Sequence, residues 1–97
     1  MEGLSTGKGK AGRGFGDRGT VYSPTITDNT QKTGRVVVDI CVDKSGKVIS
    51  AKYTQKGSTT TDAYLIDLAE TNAKKYKFMK SNVEEQCGEI IIDFKLR

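Results

Sequence analysis

The sequence has no histidine and no tryptophan, and only one proline and two cysteines occur among its 97 residues. Because histidine is the commonest general base and the commonest metal ligand, its absence argues against both kinds of site. Serine and threonine are plentiful, but no base accompanies them to activate a hydroxyl. Two cysteines alone do not complete a tetrahedral zinc site. We therefore expect a protein that is not an enzyme and that holds no metal or other cofactor.

Long apolar runs are also missing from the sequence. No stretch approaches the roughly 18 to 20 apolar residues of a membrane-spanning helix. No apolar segment of the kind found in signal peptides follows the N-terminus. We expect any membrane anchor or targeting signal to lie outside this chain.

The net charge of +4 is spread along the chain rather than concentrated in one segment. Residues 1–34 carry five Lys/Arg and three Asp/Glu, and residues 35–97 carry eleven and nine. Nucleic-acid-binding domains gather basic residues on one face, and RNA-binding sheets expose aromatic side chains. Neither pattern is evident, so we expect a slightly basic, solvated surface and no nucleic-acid binding.

The first 19 residues hold seven of the eleven glycines and few residues that can be buried. Such a segment does not offset the entropy lost on ordering, so residues 1–19 are predicted to be the flexible end of a linker. Residues 7–12 match the G-x-G-x-x-G pattern, but no strand precedes them and no helix pattern follows, which argues against nucleotide binding. Residues 20–33 are predicted to be an extended segment that packs on the domain.

Residues 34–97 show the patterning of one small domain. Apolar residues alternate in two segments near its start and again at its end, which is typical of strands, and a stripe at three- and four-residue steps between them indicates a helix. The predicted elements are a strand from Gly34 through Val42, a turn at Asp43–Gly46, a strand over Lys47–Thr54 with a bulge near Ser50, a helix from a cap at Thr60 or Thr61 to about Lys77, and a strand over Glu89–Leu96.

These elements predict an α+β fold with a three-stranded antiparallel sheet, in the chain order β-β-α-β, and one helix packed on one face. The first two strands form a hairpin. Placing the third strand beside the first gives the spatial order 2-1-3 and lets the helix return across the sheet by a short connection. In that order the second and third strands are both edges, and an edge strand is a template for pairing with another chain.

Cys41 and Cys87 are predicted to share the sheet face that points away from the helix. In the order 2-1-3 the start of the third strand lies opposite the end of the first, so the two thiols can approach each other. We consider a cross-strand disulfide between them, with two partly buried thiols as the alternative. Val37 and Ile91 make the same face more apolar than a solvated face, which suggests that residues 20–30, a second copy or a partner covers it.

Several segments together resemble the C-terminal domain of the TonB family of energy transducers. Residues 34–48 resemble its opening strand and turn, residues 73–78 resemble the end of its helix, and residues 92–96 are similar to its closing strand. Tyr22 and Pro24 resemble the Tyr-Pro motif that precedes the family's first strand. The three main segments occur in the family's order and at fitting spacings over about two thirds of the chain.

The resemblance implies a role in transport across the outer membrane. Members of the family lie in the periplasm, anchored in the inner membrane by an N-terminal segment that we expect outside this chain. They couple a proton-driven motor of the ExbB and ExbD type to TonB-dependent outer-membrane receptors. The TonB box of the receptor pairs with the third strand of the domain by β-augmentation. The partner-binding residues that the resemblance implies are Glu89, Ile90, Ile91, Ile92, Asp93, Phe94 and Lys95, with Tyr22 and Pro24 nearby.

Two other functions stay open at this point. A TolA-like periplasmic interaction domain has a similar shape, although the turn motif of residues 42–48 favours TonB. A purely structural domain would pair the same edge strand with its own copy. A homodimer of this kind is compatible with receptor binding.

Overall fold

A computed structural model describes residues 5–15, 18–28 and 31–96, which form seven strands and one helix. The remaining residues, which include parts of the predicted linker and of the predicted extended segment, lie outside the described residues. In chain order the elements are β1 (Ser5–Ala11), β2 (Thr20–Tyr22), β3 (Ile26–Asp28), β4 (Gly34–Asp43), β5 (Val48–Thr54), α1 (Ala63–Ala73), β6 (Lys77–Phe78) and β7 (Glu85–Leu96).

The main sheet is larger than the sequence predicts, and the expectation of a three-stranded sheet is wrong. Five strands form a curled antiparallel sheet in the order β3-β1-β7-β4-β5, and β2 pairs with β6 in a separate two-stranded sheet. The predicted order 2-1-3 corresponds to β5-β4-β7 within the larger sheet. The additional strands β1 and β3 come from the predicted linker and extended segment. These segments are held in the sheet mainly by backbone pairing rather than by buried side chains. Their sequences therefore lack the alternating apolar pattern by which a strand is recognised.

The β4–β5 hairpin follows from its turn chemistry as well as from its alternating apolar residues. The Asp43 carboxylate accepts hydrogen bonds from the Ser45 hydroxyl, the Ser45 N–H and the Lys47 N–H, at 2.7, 3.0 and 2.9 Å. These bonds, the Ser45 hydroxyl foremost, hold the pKa of Asp43 below its usual value. Gly46 has a φ of +97°, which glycine adopts without strain. The register shifts by one residue at Ile49, which confirms the predicted bulge.

Helix α1 is shorter than predicted and begins at a different cap. Asp62, rather than either predicted threonine, is the N-cap, and its carboxylate accepts hydrogen bonds from N–H groups of the first turn. Lys32 forms an ion pair with Asp62 at 2.6 Å, and this bond is the main reason that the pKa of Asp62 is lowered. The helix ends at Ala73 because the residues that follow turn and then pair with β2 as β6. Among the described residues, no helix has both the length and the apolar character needed to cross a membrane.

The hydrophobic core lies between α1 and one face of the five-stranded sheet. Three residues of the predicted apolar stripe are buried in the helix there, namely Leu65, Ala69 and Ala73, as are the apolar residues of β4 and β7 on this face. The N-terminal part of the chain also contributes, because the Phe15 ring is buried 4.6 Å from the Phe78 ring. The core residues are Phe15, Ile26, Val36, Val38, Ile40, Val42, Val48, Leu65, Ala69, Ala73, Tyr76, Phe78, Ile90, Ile92 and Phe94.

Candidate strand-binding site

The strand in which the resemblance implies partner binding is β7. Its apolar residues Ile90, Ile92 and Phe94 are buried in the core, and the residues between them face the opposite side of the sheet and are partly exposed. All seven partner-binding residues predicted for this strand lie within it: Glu89, Ile90, Ile91, Ile92, Asp93, Phe94 and Lys95.

Strand β7 is a central strand of the sheet. On one side β1 pairs with it antiparallel, from Ser5 opposite Leu96 to Ala11 opposite Ile90, and on the other side β4 pairs along it. The expectation that the third strand of the domain is an open edge is therefore wrong. The reason is that β1, an N-terminal segment of the same chain, pairs with the side of β7 that was expected to be open.

Two glycines of the G-x-G run explain how closely β1 approaches the core. Gly9 lies opposite Ile92, and a Cβ at Gly9 would overlap the Tyr76 hydroxyl. A Cβ at Gly7 would lie 2.6 Å from Cε1 of Phe94, closer than real side chains come. The pattern therefore fits a docked strand rather than a phosphate site or a linker. The signal that sequence reasoning missed is the two-residue spacing, which puts both glycines on one face of a strand.

The turn after β1 continues the attachment to β7. The Gly12 N–H donates a hydrogen bond to the Glu89 carbonyl at 2.7 Å, and the Glu89 N–H donates to the Arg13 carbonyl at 2.8 Å. The Phe15 ring then packs on Gly88, where a Cβ would lie 2.7 Å from the ring. Phe15 is thus the large apolar anchor of the N-terminal segment, and glycine at position 88 makes room for it.

Arg18 fastens the same segment to the hairpin end of the sheet. Its guanidinium donates hydrogen bonds to the carbonyls of Met79 and Asp43 at 2.7 and 2.8 Å, and to the Gln86 side chain at 3.2 Å. The Gln86 amide in turn donates to the Gly14 carbonyl at 3.1 Å. The segment that carries β1 therefore has fixed contacts beyond the strand itself.

The docked β1 has one unfavourable feature, which is the Tyr76 hydroxyl. The oxygen is buried, and no described residue makes a hydrogen bond with it. Burial raises the pKa of Tyr76. An unsatisfied buried hydroxyl costs about 1 to 3 kcal/mol of stability. The attachment of β1 thus rests on main-chain pairing and on Phe15, and it is opposed by this cost.

The two outer edges of the five-stranded sheet are poor templates for another strand. The outer side of β5 carries the bulge at Ile49 and the exposed Lys52, and the Tyr53 N–H donates to the Glu70 carboxylate at 2.7 Å. At the other edge, β3 has three residues. Bulges, charged side chains and short strands are the features that protect sheet edges in proteins. Neither outer edge therefore offers a long, regular backbone template to another strand.

Tyr22 and Pro24 lie apart from the rest of the predicted site. Tyr22 pairs with Lys77 in the β2–β6 sheet and is 54% exposed, and the half-buried Pro24 lies between β2 and β3. Neither residue belongs to the sheet that contains β7. The structure brings together the seven predicted residues of β7, whereas it places these two on a different surface.

Cys41 and Cys87 lie directly opposite each other in the β4–β7 register and are joined by a disulfide. They are on the sheet face away from α1, as the parity of the strands indicated. The Glu85 carboxylate also lies close to both sulfur atoms. Because the two sulfurs are bonded to each other, this group does not offer thiolate ligands to a metal ion.

No family model, no curated protein and no solved structure matches this chain.

Proposed function

We propose that this chain is a periplasmic, non-enzymatic domain of a TonB-type energy transducer. In this proposal it binds the TonB box of outer-membrane receptors by strand addition along β7, and the incoming strand replaces β1. The observation that carries the proposal is that β7 already holds an antiparallel strand, β1, which the chain supplies from a glycine-rich segment. The domain thus contains a mimic of the strand that the resemblance implies as its ligand.

The replacement of β1 is favoured by how little its side chains contribute. Gly7 and Gly9 have no side chain to pack on β7, and Ala11 is exposed. Main-chain hydrogen bonds give affinity in β-augmentation, so a partner strand with glycine opposite Ile92 and Phe94 can form the same bonds. When β1 leaves, water gains access to the Tyr76 hydroxyl and removes the cost of burying it without a partner.

The transport role rests on the resemblance of residues 34–48, 73–78 and 92–96 to the TonB family. In such a protein, an ExbB/ExbD-type motor would act through an N-terminal anchor, and the strand paired with β7 would transmit the force to the receptor. Backbone pairing along a strand suits this task because its hydrogen bonds share a load and tolerate different receptor sequences. The Cys41–Cys87 disulfide is compatible with an oxidising compartment such as the periplasm.

The direct test is an amide chemical-shift titration of the full chain with a TonB-box peptide from a receptor of the same organism. We expect saturable shifts along residues 89–95 and faster amide exchange in β1, because the peptide displaces that strand. A peptide with proline at alternate positions is the matched control, since proline donates no main-chain hydrogen bond. Shifts confined to β5, or no shifts at millimolar peptide, would contradict binding along β7.

Two glycine variants test whether β1 is the competitor. Gly9→Ala inserts a Cβ against the Tyr76 hydroxyl, whereas Gly19→Ala inserts one 3.4 Å from the Met79 sulfur, an ordinary contact. We expect Gly9→Ala to tighten peptide binding, because it weakens the strand that the peptide must displace. Gly19→Ala should leave the affinity unchanged. Equal affinities for the two variants would show that β1 does not compete with the peptide.

A self-pairing or TolA-like interaction domain is the second candidate, and the same observation favours it. If β1 leaves its own β7, it can pair in the same register with β7 of another copy, which is a domain-swapped dimer. Light scattering over a range of protein concentrations distinguishes the two candidates. A mass that rises to twice that of the chain without any peptide, and that the peptide does not lower, would favour self-pairing over receptor binding.

A further inference from the structure

The sheet face away from α1 carries a groove that the strand-binding proposal does not use. Two adjoining cavities of about 510 and 580 Å³ share Arg13, Lys56 and Glu89 in their walls. One wall is the end of β1 with the turn after it, and the other is the loop after β5. We call this feature the open-face groove and define it by its charged lining residues together with the partly exposed Ile91: Lys10, Arg13, Arg35, Asp39, Lys52, Lys56, Glu89 and Ile91.

Five cations of the described residues line the open-face groove. Arg35 is paired with the Asp93 carboxylate at 2.8 Å. The other four cations are exposed, and in the described parts of the chain none of them has an ion-pair partner: Lys10, Arg13, Lys52 and Lys56. They come from two separate segments of the sequence. The even spread of charge along the sequence therefore gives no sign that folding brings these four cations together. Folding thus produces a basic cluster that composition alone does not indicate.

The floor of the groove has two further features. The apolar part of the floor is the partly exposed Ile91, which lies opposite the buried Val37, and Asp39 and Glu89 lie opposite each other as a pair of like charges. Like charges in directly opposed positions of a sheet are unfavourable. Lys52 of β5 lies opposite Asp39 on the other side and offsets part of this repulsion, and hydrogen-bond donors from a bound molecule would relieve it further. The groove therefore fits a ligand that carries anionic groups, apolar groups and neutral N–H donors together.

We propose that the open-face groove binds an acidic, extended peptide segment of a partner protein. The carboxylates of such a peptide would pair with Arg13 and Lys56 on the two walls. Its apolar side chains would contact Ile91, and its main-chain N–H groups would donate to Asp39 and Glu89. A nucleic acid fits less well, because no aromatic side chain lines the groove for base stacking and phosphates have no donor for the two carboxylates.

The test is the fluorescence anisotropy of a labelled peptide with alternating glutamate and valine, titrated with the full chain at low salt. We expect saturable binding that weakens as the salt concentration rises. The variant Lys52→Glu/Lys56→Glu should bind about tenfold more weakly. The matched control is Lys74→Glu/Lys75→Glu, which changes the net charge equally at exposed positions after α1, outside the groove.

Two outcomes would overturn the proposal. Equal losses of affinity in the two double variants would mean that the peptide senses only the net charge of the protein. A single-stranded oligonucleotide of the same charge that binds as tightly as the peptide, and is weakened in the same variants, would identify a nucleic-acid surface instead. Circular dichroism of each variant establishes that a lost affinity does not reflect unfolding, and Lys56→Gln provides a milder change at the same wall.

Discussion

The hydroxyl of Tyr76 is buried against the backbone of Gly9, and no described residue makes a hydrogen bond with it. This relationship joins the core of the domain to the strand that covers β7. It makes glycine necessary at position 9 for docking, and it makes docking less favourable than the main-chain pairing alone would be. Strand β1 therefore has a fixed register on β7, and what holds it is main-chain pairing and the buried Phe15 that follows it rather than burial of its own side chains.

Replacing Tyr76 with phenylalanine should stabilise the protein. The change removes the unsatisfied hydroxyl and keeps the ring contacts with the core, so we expect the free energy of unfolding to rise by about 1 to 2 kcal/mol. Urea denaturation measures the change. Tyr22→Phe is the control, because Tyr22 is more than half exposed and its hydroxyl is accessible to water. A loss of stability in Tyr76→Phe would indicate that the hydroxyl has a favourable contact.

The same residue predicts a pH dependence in the alkaline range. Because burial raises the pKa of Tyr76, the unfolded chain loses the phenolic proton at a lower pH than the folded protein does. The stability that Tyr76 contributes is therefore complete below about pH 10 and falls as the pH rises further. Lysines also titrate there, so the measurement is the difference between the wild type and Tyr76→Phe. A difference that does not change above pH 10 would contradict the burial of the hydroxyl.

Phe15→Ala should detach the N-terminal segment. The Phe15 ring is buried on Phe78 and Gly88, and large-to-small changes at such aromatic positions cost about 3 to 5 kcal/mol. Because Phe15 follows β1 closely in the chain, the amides of β1 and the amides of β7 that pair with β1 should exchange faster. Hydrogen exchange followed by NMR measures this. Val21→Ala, at a site that is 67% exposed, should have little effect. Unchanged exchange in Phe15→Ala would mean that β1 docks without its anchor.

The parts of the fold that the sequence predicted well are those in which side-chain burial dictates the structure. The alternation of Val36, Val38, Ile40 and Val42 identified β4, and the Asp43–Gly46 turn identified the hairpin. The parity of the strands also placed Cys41 and Cys87 on one face. In each case a periodic apolar pattern or a turn residue in the sequence predicts the local structure directly.

The parts that the sequence did not predict are those held by the backbone. Strand β1 reads as a linker because glycines have no side chain to show a pattern, yet Gly7 and Gly9 are needed for close approach. The sequence predicts a helix that ends about four residues beyond the observed end at Ala73, because Tyr76 continues the apolar stripe although it lies outside the helix. The unpaired groove cations are two pairs, Lys10 with Arg13 and Lys52 with Lys56, and the two pairs are distant in sequence but line the same groove in the fold.

Reduction of the Cys41–Cys87 disulfide should lower the stability strongly. The bond links residues that are 46 positions apart, and the chain-entropy relation gives a loss of about 4 kcal/mol on opening a loop of that size. Urea denaturation with and without reductant measures the loss, and intact mass should rise by two hydrogens on reduction. The double variant Cys41→Ala/Cys87→Ala is the control, since reductant should not change its stability. An unchanged wild-type mass after reduction would show that no bond is present.

The two proposed sites should oppose each other, because they share the N-terminal segment. Lys10 belongs to β1 and Arg13 to the turn after it, so a strand that displaces β1 also removes one wall of the open-face groove. The coupling between two binding sites is reciprocal. If an acidic peptide in the groove weakens the binding of a TonB-box peptide by some factor, the TonB-box peptide must weaken the binding of the acidic peptide by the same factor. Titrating the TonB-box peptide with and without saturating acidic peptide measures this factor, which we expect to be several-fold.

In Lys52→Glu/Lys56→Glu the acidic peptide should have much less effect at the same concentration. Equal affinities in the wild type would mean that the groove survives strand addition and that β1 stays in place, whereas tighter binding would mean that the acidic peptide helps to release it.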